Sequence, residues 1–408
     1  MRSVGTISEI VNDIVEAYQA DPRPWVLGFS GGKDSTALLQ MAYTALKKIP
    51  AERRTKHVYV ICTDTKIEPP NILGHVDEML ERVANAATRD RLPLTVHKLM
   101  AKPANRFFVK LIGRGYPAPN RFFRWCTDRL KIRPCNDFIK ERIAESGEVI
   151  VVLGVRHAEG ATRSGSITRH QVNGSRFGRH STLPNAWIYA PIKHLETDRL
   201  WLYLTLSETP WGGNNEKLAQ LYKQANGECP LIIDKSMPSC GGSRFGCWTC
   251  TVIGTDKSMK GFVENGDAWM NPLLDFRDWL AKMRNEARHR RPKRRDGKEG
   301  LGPHTLKARR EIFERLIVAE ELVRAHPNAR DIQLIGSDEK QLIEKLWRED
   351  RYRGLPLSKL EAKARESAKS LIKAKARETQ TIVPFPSTHP TRDLNHSRTD
   401  APRLQAAI

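Results

Sequence analysis

Apolar positions along the first 155 residues follow two different periods. Residues 7–20 carry apolar side chains at helical spacing, which predicts an amphipathic helix. Beyond that helix, short continuous apolar runs alternate with helical stretches. The predicted strands are 24–30, 57–64, 93–99 and 148–155, and the predicted helices between them are 34–48, 70–88 and 128–145. This alternation predicts crossover connections and a parallel sheet, hence an α/β fold with ligands beyond the carboxyl ends of the strands.

The pattern changes after about residue 200, where the strand-like runs fade. Residues 226–256 are rich in Cys, Gly and Pro, which predicts irregular backbone, and residues 305–350 have a helical composition. From about residue 378 the chain is polar, rich in Pro and without period, which predicts disorder. The predicted organisation is a leading helix (1–20), an α/β domain (21–205), an irregular cysteine-containing segment (206–265), a basic helical region (266–352) and a tail (353–408).

The 408-residue chain has a formal net charge of +21, and most of this excess lies in two basic stretches. Residues 101–140 contain ten Lys and Arg against two Asp, and residues 281–310 contain twelve against three acidic residues. Six aromatic residues lie among the basic residues of the first stretch between positions 107 and 125. Cations beside aromatic rings predict binding to nucleic acid, with a solvated basic surface as the alternative. Arg121, Arg124 and Arg129 are the candidate phosphate contacts of this stretch.

No apolar run approaches the roughly 20 residues that a membrane-spanning helix needs. The N-terminal residues also lack the unbroken apolar core of a secretion signal. We therefore expect no membrane association and a cytoplasmic location.

A glycine-rich segment, GFSGGKDST at residues 28–36, follows the first strand and opens a helix. Paired glycines turn backbone amides toward an anion, and a helix N-terminus adds its dipole. The spacing differs from the Walker loop, because Asp follows the Lys. The segment resembles the PP-loop of ATP pyrophosphatases, of the adenine nucleotide alpha hydrolase-like fold. That resemblance implies ATP binding by Ser30, Gly31, Gly32, Lys33, Asp34, Ser35 and Thr36, with Ser30, Lys33 and Asp34 catalytic.

Four further segments resemble the phosphoadenylylsulfate (PAPS) reductase branch of PP-loop proteins. Asp64 and Thr65 follow the second strand, RWCTDRLKIRP spans residues 124–134, Gly154 and Arg156 precede Arg163, and APIKHLETDRLWLYL spans residues 190–204. In that branch the first segment lies near the adenosine, so Asp64 is expected to bind ribose or Mg²⁺, with a strand-end cap as the alternative. Gly154 and Arg156 are expected at the nucleotide, and Arg163 at a phosphate or sulfate. The Cys-containing tail of true PAPS reductases is missing, so we do not expect this chain to reduce sulfonucleotides.

Seven cysteines occur, and an odd number argues against a disulfide framework. Four of them form the pattern C-x10-C-x6-C-x2-C, which has one close pair and two isolated thiols in a glycine-rich loop. This spacing favours a [4Fe–4S] cluster, with structural zinc or buried free thiols as alternatives. Cys126 lies between arginines that are expected to lower its pKa, so it is a candidate reactive thiol, with a packing role as the alternative.

Together with SRFGCWTCT (243–251), these motifs resemble the DndC/SspD family of DNA phosphorothioation sulfurtransferases from about residue 20 to 350. The resemblance implies a [4Fe–4S] cluster on Cys229, Cys240, Cys247 and Cys250. It also implies activation of a DNA backbone phosphate by ATP, a cysteine desulfurase as sulfur donor, and further phosphorothioation subunits. Such systems serve bacterial restriction-modification and anti-phage defence.

Two other functions remain open at the level of the sequence. A tRNA thiolation enzyme uses the same loop and cluster chemistry on a different nucleic acid. A non-catalytic nucleic-acid-binding module with structural zinc accounts for the cysteines and the charge but not for the phosphate loop.

Overall fold

The computed structural model describes residues 6–170, 172, 175–226 and 245–381. Six strands form one sheet in the order β3-β2-β1-β4-β6-β5. Every neighbouring pair is parallel except β5 and β6, which are antiparallel. The strands are β1 (Trp25–Gly28), β2 (Val58–Asp64), β3 (Leu94–Met100), β4 (Val149–Val152), β5 (Gly178–Arg179) and β6 (Ala186–Tyr189). The predicted α/β fold with a parallel sheet is therefore confirmed.

Twelve α-helices surround and extend this sheet within the described residues. In the first half these are α1 (Ile7–Gln19), α2 (Lys33–Lys48), α3 (Pro70–Arg89), α4 (Arg133–Ser146), α5 (Ala161–His170), α6 (Thr197–Leu206) and α7 (Glu216–Asn226). The second half contains α8 (Lys257–Glu264), α9 (Asn271–Met283), α10 (Leu306–Arg324), α11 (Ser337–Glu349) and α12 (Leu357–Thr381). In the part of the chain that the structure covers, no helix is long and apolar enough to cross a membrane.

Strand β1 lies in the middle of the sheet and is buried on both faces. Trp25 and Leu27 belong to the larger core, which also contains α1, α2 and α3, and Val26 belongs to the smaller core with Phe138 of α4. This placement explains why β1 is a continuous apolar run rather than an alternating one. The register between β1 and β2 brings the carboxyl ends of both strands to the same edge of the sheet.

The C-terminal helices pack onto the α/β domain through the first basic stretch. Two π-helical segments, Val109–Gly113 and Thr127–Ile132, lie within that stretch. The Trp347 Nε1–H of α11 donates a hydrogen bond of 2.8 Å to the carbonyl of Ile112. A Cβ on Gly113 would lie 2.8 Å from Leu346 Cδ1, so glycine permits this close approach. The helical C-terminal region is thus confirmed, and it shares the larger core with the sheet.

Several elements differ from the sequence-based prediction. The helix predicted at 128–145 begins as the π-helical segment and becomes α-helical at Arg133. Strands β5 and β6, of two and four residues, were not predicted. The segment assigned to the tail contains α12, whose buried Leu357, Leu360, Ala364 and Ala368 pack at helical spacing against the preceding helices. Helix α12 extends past residue 378, and the remainder of the predicted disordered tail, from 382, lies outside the described residues.

Candidate functional site

The glycine-rich loop lies between β1 and α2, at the carboxyl edge of the sheet. The Ser30 and Ser35 hydroxyl oxygens are 3.2 Å apart, and Ser35 Oγ donates to the Gly32 carbonyl at 3.0 Å. Gly31 has a φ of +73°, and a Cβ at this position would clash with Val76 Cγ2 of α3. Gly32 is the N-cap of α2 and has no side chain to cap the first turn. The loop therefore presents two hydroxyls and a helix N-terminus, an arrangement that suits an anion.

Lys33 is the first residue of α2 and is buried. Its Nζ lies 4.6 Å from the ring centroid of Tyr222 and 5.9 Å from that of Trp201. The Tyr222 hydroxyl also accepts a hydrogen bond of 3.1 Å from the Lys33 backbone N–H. Helices α6 and α7 thus position the Lys33 ammonium beside the loop. Sequence reasoning missed Tyr222 because it follows the loop by nearly 190 positions.

Asp34 is held by Arg156, which comes from the segment after β4. Arg156 Nε donates to Asp34 Oδ1 at 2.5 Å, and Arg156 Nη1 donates to the Leu195 carbonyl at 2.8 Å. The Arg156 side chain is buried. A Cβ on Gly154 would lie 2.8 Å from the Asp34 carbonyl oxygen, so the two segments are in close contact. In this structure Arg156 stabilises the loop, and the nucleotide contact expected of it stays a prediction.

Asp64 and Thr65 lie at the end of β2, at the same carboxyl edge of the sheet as the glycine-rich loop. Asp64 is buried, and its Oδ2 lies 3.2 Å from the ammonium groups of both Lys66 and Lys98. Burial alone would raise the pKa of Asp64, but the Lys66 N–H and the two ammonium groups lower it below its ordinary value. Thr65 Oγ1 donates to Glu68 Oε1 at 2.5 Å. Asp64 is therefore an ionised carboxylate with cationic partners, more than a simple cap of the strand end.

Two of the four predicted cluster cysteines, Cys247 and Cys250, lie in the described residues on one turn, and this turn contacts the segment that follows β2. The Trp248 N–H donates to the Ile67 carbonyl at 3.0 Å, and Cys247 Sγ lies 4.0 Å from Thr65 Oγ1. The Cys250 N–H donates to the Cys247 carbonyl at 2.9 Å, which forms a tight turn with both thiols free. Arg277 is buried, and its Nε donates to the Cys250 carbonyl at 2.8 Å. We call residues 247–250 the cysteine turn.

Cys229 and Cys240 lie outside the described residues. Within 6–170, 172, 175–226 and 245–381, no group of three or more His, Cys, Asp or Glu side chains is arranged to hold a metal ion. The two predicted ligands that the structure describes are Cys247 and Cys250. Both are free thiols on one turn, and this arrangement fits one edge of a cluster. The cluster itself therefore remains a prediction.

The environment of Cys126 differs from the expectation. The flanking arginines were expected to lower the pKa of its thiol, but burial raises that pKa, and Cys250 adds to the increase. Arg124 has only a minor opposing effect, since its side chain is exposed. Cys126 is therefore a largely protonated thiol near the cysteine turn. Cys62 is also buried, and burial raises its pKa to about 12.

The predicted phosphate-contacting arginines occupy different places. Arg121 and Arg124 are exposed beside the turn at 120–123. Arg129 lies on the π-helical segment, where its Nη1 donates to Asn105 Oδ1 at 3.0 Å. Arg163 lies on α5, and its side chain is outside the described part. The first three therefore lie on or beside the first basic stretch, whereas Arg163 lies on α5, in the segment that follows β4.

These observations define a class of protein, an α/β protein with a glycine-rich anion-binding loop at the carboxyl edge of a parallel sheet. The sequence profile of the phosphoadenosine phosphosulfate reductase domain family matches residues 24–253. This chain belongs to that family. The match contains both the glycine-rich loop and the cysteine turn.

A curated relative, an uncharacterized protein of Methanocaldococcus jannaschii, is 23% identical over 288 residues. The alignment covers 68% of this chain and 48% of the relative, so the chain spans about half the length of the relative that it matches.

Among solved structures, the PAPS reductase of Candida auris in complex with phosphate is 14% identical, with a TM-score of 0.33 over 52% of this chain and 85% of that one. The U34-tRNA thiolase NcsA of Methanococcus maripaludis, solved with its [4Fe–4S] cluster, is 13% identical, with a TM-score of 0.30 over 76% and 88%. The family assignment rests on the sequence profile, and the fold on the strand order, rather than on these low scores.

Proposed function

We propose that this chain is an ATP pyrophosphatase that acts as a sulfurtransferase on DNA, in a bacterial phosphorothioation system of the restriction-modification or anti-phage type. The observation that carries the proposal is the contact of the cysteine turn with the Thr65–Glu68 segment, which follows β2 at the same carboxyl edge of the sheet as the glycine-rich loop. A loop suited to phosphates and a pair of free thiols thus share one edge of the sheet. The basic stretches support a nucleic acid as the substrate.

The proposed reaction begins at a non-bridging oxygen of a DNA phosphate, which is a poor leaving group. Attack of that oxygen on the α-phosphorus of ATP forms a new O–P bond and breaks the bond to the β-phosphate, so pyrophosphate leaves. The DNA phosphate is then an adenylate. A sulfur atom at the sulfide level, which a two-electron reductant such as an external thiol would release from the persulfide of the desulfurase, attacks the DNA phosphorus, and the P–O bond to AMP breaks. The product contains sulfur in place of one oxygen.

The loop residues would stabilise the pyrophosphate as its charge develops. Ser30 would provide a hydroxyl donor, Ser35 would provide a second one once its hydroxyl exchanges the Gly32 carbonyl for the phosphate, Lys33 would provide a positive charge, and the start of α2 would provide its dipole. Asp34 would keep the loop in place through Arg156 rather than contact the nucleotide. These roles assign binding and charge stabilisation to residues that the structure brings together.

The proposed cofactors fit the described residues to different degrees. Cys247 and Cys250 would hold one edge of a [4Fe–4S] cluster, with Cys229 and Cys240 as the other proposed ligands, and the cluster would hold or pass on sulfur. The Asp64 carboxylate does not fit a Mg²⁺ ligand in this arrangement, because two ammonium groups already neutralise it. A Mg²⁺ ion would therefore arrive on the ATP phosphates. The proposed partners are a cysteine desulfurase and further phosphorothioation subunits in the cytoplasm.

Substitution of Lys33 tests the loop assignment. We expect Lys33→Ala to lower pyrophosphate release from ATP by at least a hundredfold, because the leaving group loses its positive charge. Lys48→Ala is the matched control, since Lys48 lies on the same helix and is exposed. Unchanged pyrophosphate release in Lys33→Ala would exclude the loop as the ATP site.

Mass spectrometry of nuclease-digested DNA and tRNA from the host, with and without the gene, tests the substrate. We expect a phosphorothioate-linked dinucleotide to disappear from DNA while thiolated tRNA nucleosides persist. Loss of a tRNA thionucleoside instead would assign the same chemistry to tRNA. A protein that contains zinc, lacks iron and releases no pyrophosphate would be a binding module.

A further inference from the structure

The two basic stretches, which are far apart in sequence, meet on one aromatic ring. Lys110 Nζ lies 5.4 Å from the Tyr116 ring centroid, and the guanidinium carbon of Arg129 lies 5.9 Å from it. Arg295, from the second stretch, approaches the same ring to 4.7 Å and donates through Nη2 to the Arg114 carbonyl at 2.7 Å. We call Lys110, Tyr116, Arg129 and Arg295 the Tyr116 cluster.

The three cations of the Tyr116 cluster form no ion pair with a carboxylate of the described residues. The nearby arginines have their own acidic partners, since Arg114 lies 3.9 Å from Glu349 and Arg133 lies 2.9 Å from Asp128. Burial, followed by the repulsion of Arg129, lowers the pKa of Lys110 to about 8. Positive charges gathered without a counter-charge are unfavourable in the free protein, and a bound anion would relieve that repulsion.

An exposed phenylalanine stands beside this cluster. Phe122 is 91% exposed, on a turn in which Asn120 Oδ1 accepts hydrogen bonds from the N–H groups of Phe122 and Phe123 at 2.8 and 2.9 Å. The Phe123 ring lies 6.2 Å from the Tyr116 ring, with the two planes inclined by 30°. The Arg121 guanidinium carbon is 5.9 Å from the Phe122 ring. Phe122 is therefore an apolar ring displayed to solvent on an ordered turn.

The turn that displays Phe122 is anchored to the candidate site. Thr251, the residue after the cysteine turn, donates through Oγ1 to the Pro119 carbonyl at 2.6 Å. Arg284 Nη1 donates to the same carbonyl at 2.5 Å. The π-helical segment Thr127–Ile132 contributes to the Tyr116 cluster from the other side of this turn in sequence, because its Arg129 lies over the Tyr116 ring. A nucleic-acid strand bound at the turn that displays Phe122 would therefore pass close to the cysteine turn.

We propose that the Tyr116 cluster binds a backbone phosphate of DNA and that Phe122 stacks on an unpaired base of the same strand. The proposal rests on the proposed function and adds the form of the substrate, a single-stranded or locally opened segment. In a duplex the faces of the bases are covered by their neighbours, so an exposed ring has nothing to stack on. Cations beside that ring complement the phosphate that adjoins each unpaired base.

Fluorescence anisotropy with a labelled single-stranded oligonucleotide and the corresponding duplex tests the proposal on the full chain. We expect Phe122→Ala to weaken single-strand binding by roughly tenfold, which corresponds to the loss of one stacked base, and to change duplex binding less than twofold. Phe122→Trp should retain single-strand binding. Leu206→Ala is the matched control, because Leu206 is another exposed apolar residue, at 73%, on a different surface.

Salt titrations of the same binding test the phosphate contact. We expect Arg295→Ala to reduce the slope of log K against log salt by about 0.7 on the single strand, whereas Phe122→Ala leaves the slope unchanged. Arg288→Ala, which alters an exposed arginine of the same stretch paired with Glu286, should leave the slope unchanged. An unchanged slope in Arg295→Ala would exclude the cluster as the phosphate site.

The outcomes separate this inference from the proposed function. Wild-type single-strand affinity in Phe122→Ala, an equal loss on duplex, or tighter binding of tRNA than of the DNA strand would each overturn the inference. If Phe122→Ala and Arg295→Ala behave as expected but host DNA contains no phosphorothioate, the proposed reaction fails and the binding site stands. If phosphorothioate forms in the host at the wild-type level with Phe122→Ala, the reaction stands and the stacking role fails.

Discussion

At the scale of single residues, the glycine-rich loop depends on contacts that no local pattern discloses. The sequence identifies Ser30, Lys33 and Asp34 as candidates, because phosphate loops need hydroxyls, a cation and glycines at short spacing. Their partners Tyr222 and Arg156 come from distant parts of the chain. Only the packing of α7 and the segment after β4 brings them together. The sequence therefore predicted which residue types form the loop. It did not predict which distant residues hold them in place.

Gly31 offers a test of how tightly the loop is constrained. Gly31→Ala places a methyl group against Val76. It also holds alanine at a φ of +73°, which is outside the backbone region that alanine prefers, so the loop must move. We expect pyrophosphate release to fall at least tenfold. Gly74→Ala is the matched control, because a Cβ there meets no atom within 4 Å and α3 gains helix propensity. Steady-state kinetics of pyrophosphate release in both variants test this prediction. A wild-type rate in Gly31→Ala would show that the loop tolerates the added methyl group.

At the scale of elements, regular strands and helices of the α/β domain were predictable, and the irregular ones were not. Helices α2 and α3 and strand β2 lie within about one residue of their predicted bounds, because long amphipathic or continuous apolar runs dominate local preference. The π-helical segments of the first basic stretch have no simple sequence period. Their geometry depends on tertiary contacts such as that of Trp347 with Ile112. The first basic stretch, which contains these two π-helical segments, was therefore the least predictable part of the structure.

The loop of the second basic stretch that precedes α10 contains a buried histidine with a testable pH dependence. His304 is fully buried, and burial lowers its pKa to about 4, with Arg290 contributing in the same direction. Between pH 6.5 and 4 the unfolded chain binds more protons at this residue than the folded chain, so stability falls as the pH falls. A single such histidine removes about 2 kcal/mol between pH 7.5 and 5.

Replacement of His304 should therefore flatten the acid side of the stability profile. We expect His304→Gln to lose about 2 kcal/mol less than the wild type on acidification from pH 7.5 to 5, whatever its stability at pH 7.5. Urea unfolding at several pH values measures this difference. Equal pH dependence in the two proteins would show that His304 is not buried in its neutral form.

At the scale of the whole molecule, the segments that the sequence distinguishes share one core. The larger cluster of buried residues extends from Ile10 of α1 through the sheet to Ala364 of α12. The sequence predicts boundaries from changes in composition, but composition does not disclose whether two segments bury their apolar faces against each other. Here α10 contacts both α9 and α12, and α11 contacts the first basic stretch. The candidate DNA surface is therefore built jointly by the α/β domain and the helical region.

A shared core predicts that the described parts unfold together. Leu27 of β1 and Leu360 of α12 are both fully buried, and each Leu→Ala replacement should cost about 2–5 kcal/mol through the cavity that it leaves. Because both belong to one cluster, we expect each replacement to lower the midpoint of the same single transition, seen alike by circular dichroism and by tryptophan fluorescence. Leu371→Ala, at an exposed position of α12, should leave that midpoint unchanged. Two separate transitions, of which Leu360→Ala shifts only one, would show that the helical region folds independently of the α/β domain. The candidate nucleic-acid surface would then depend on how these two parts pack against each other.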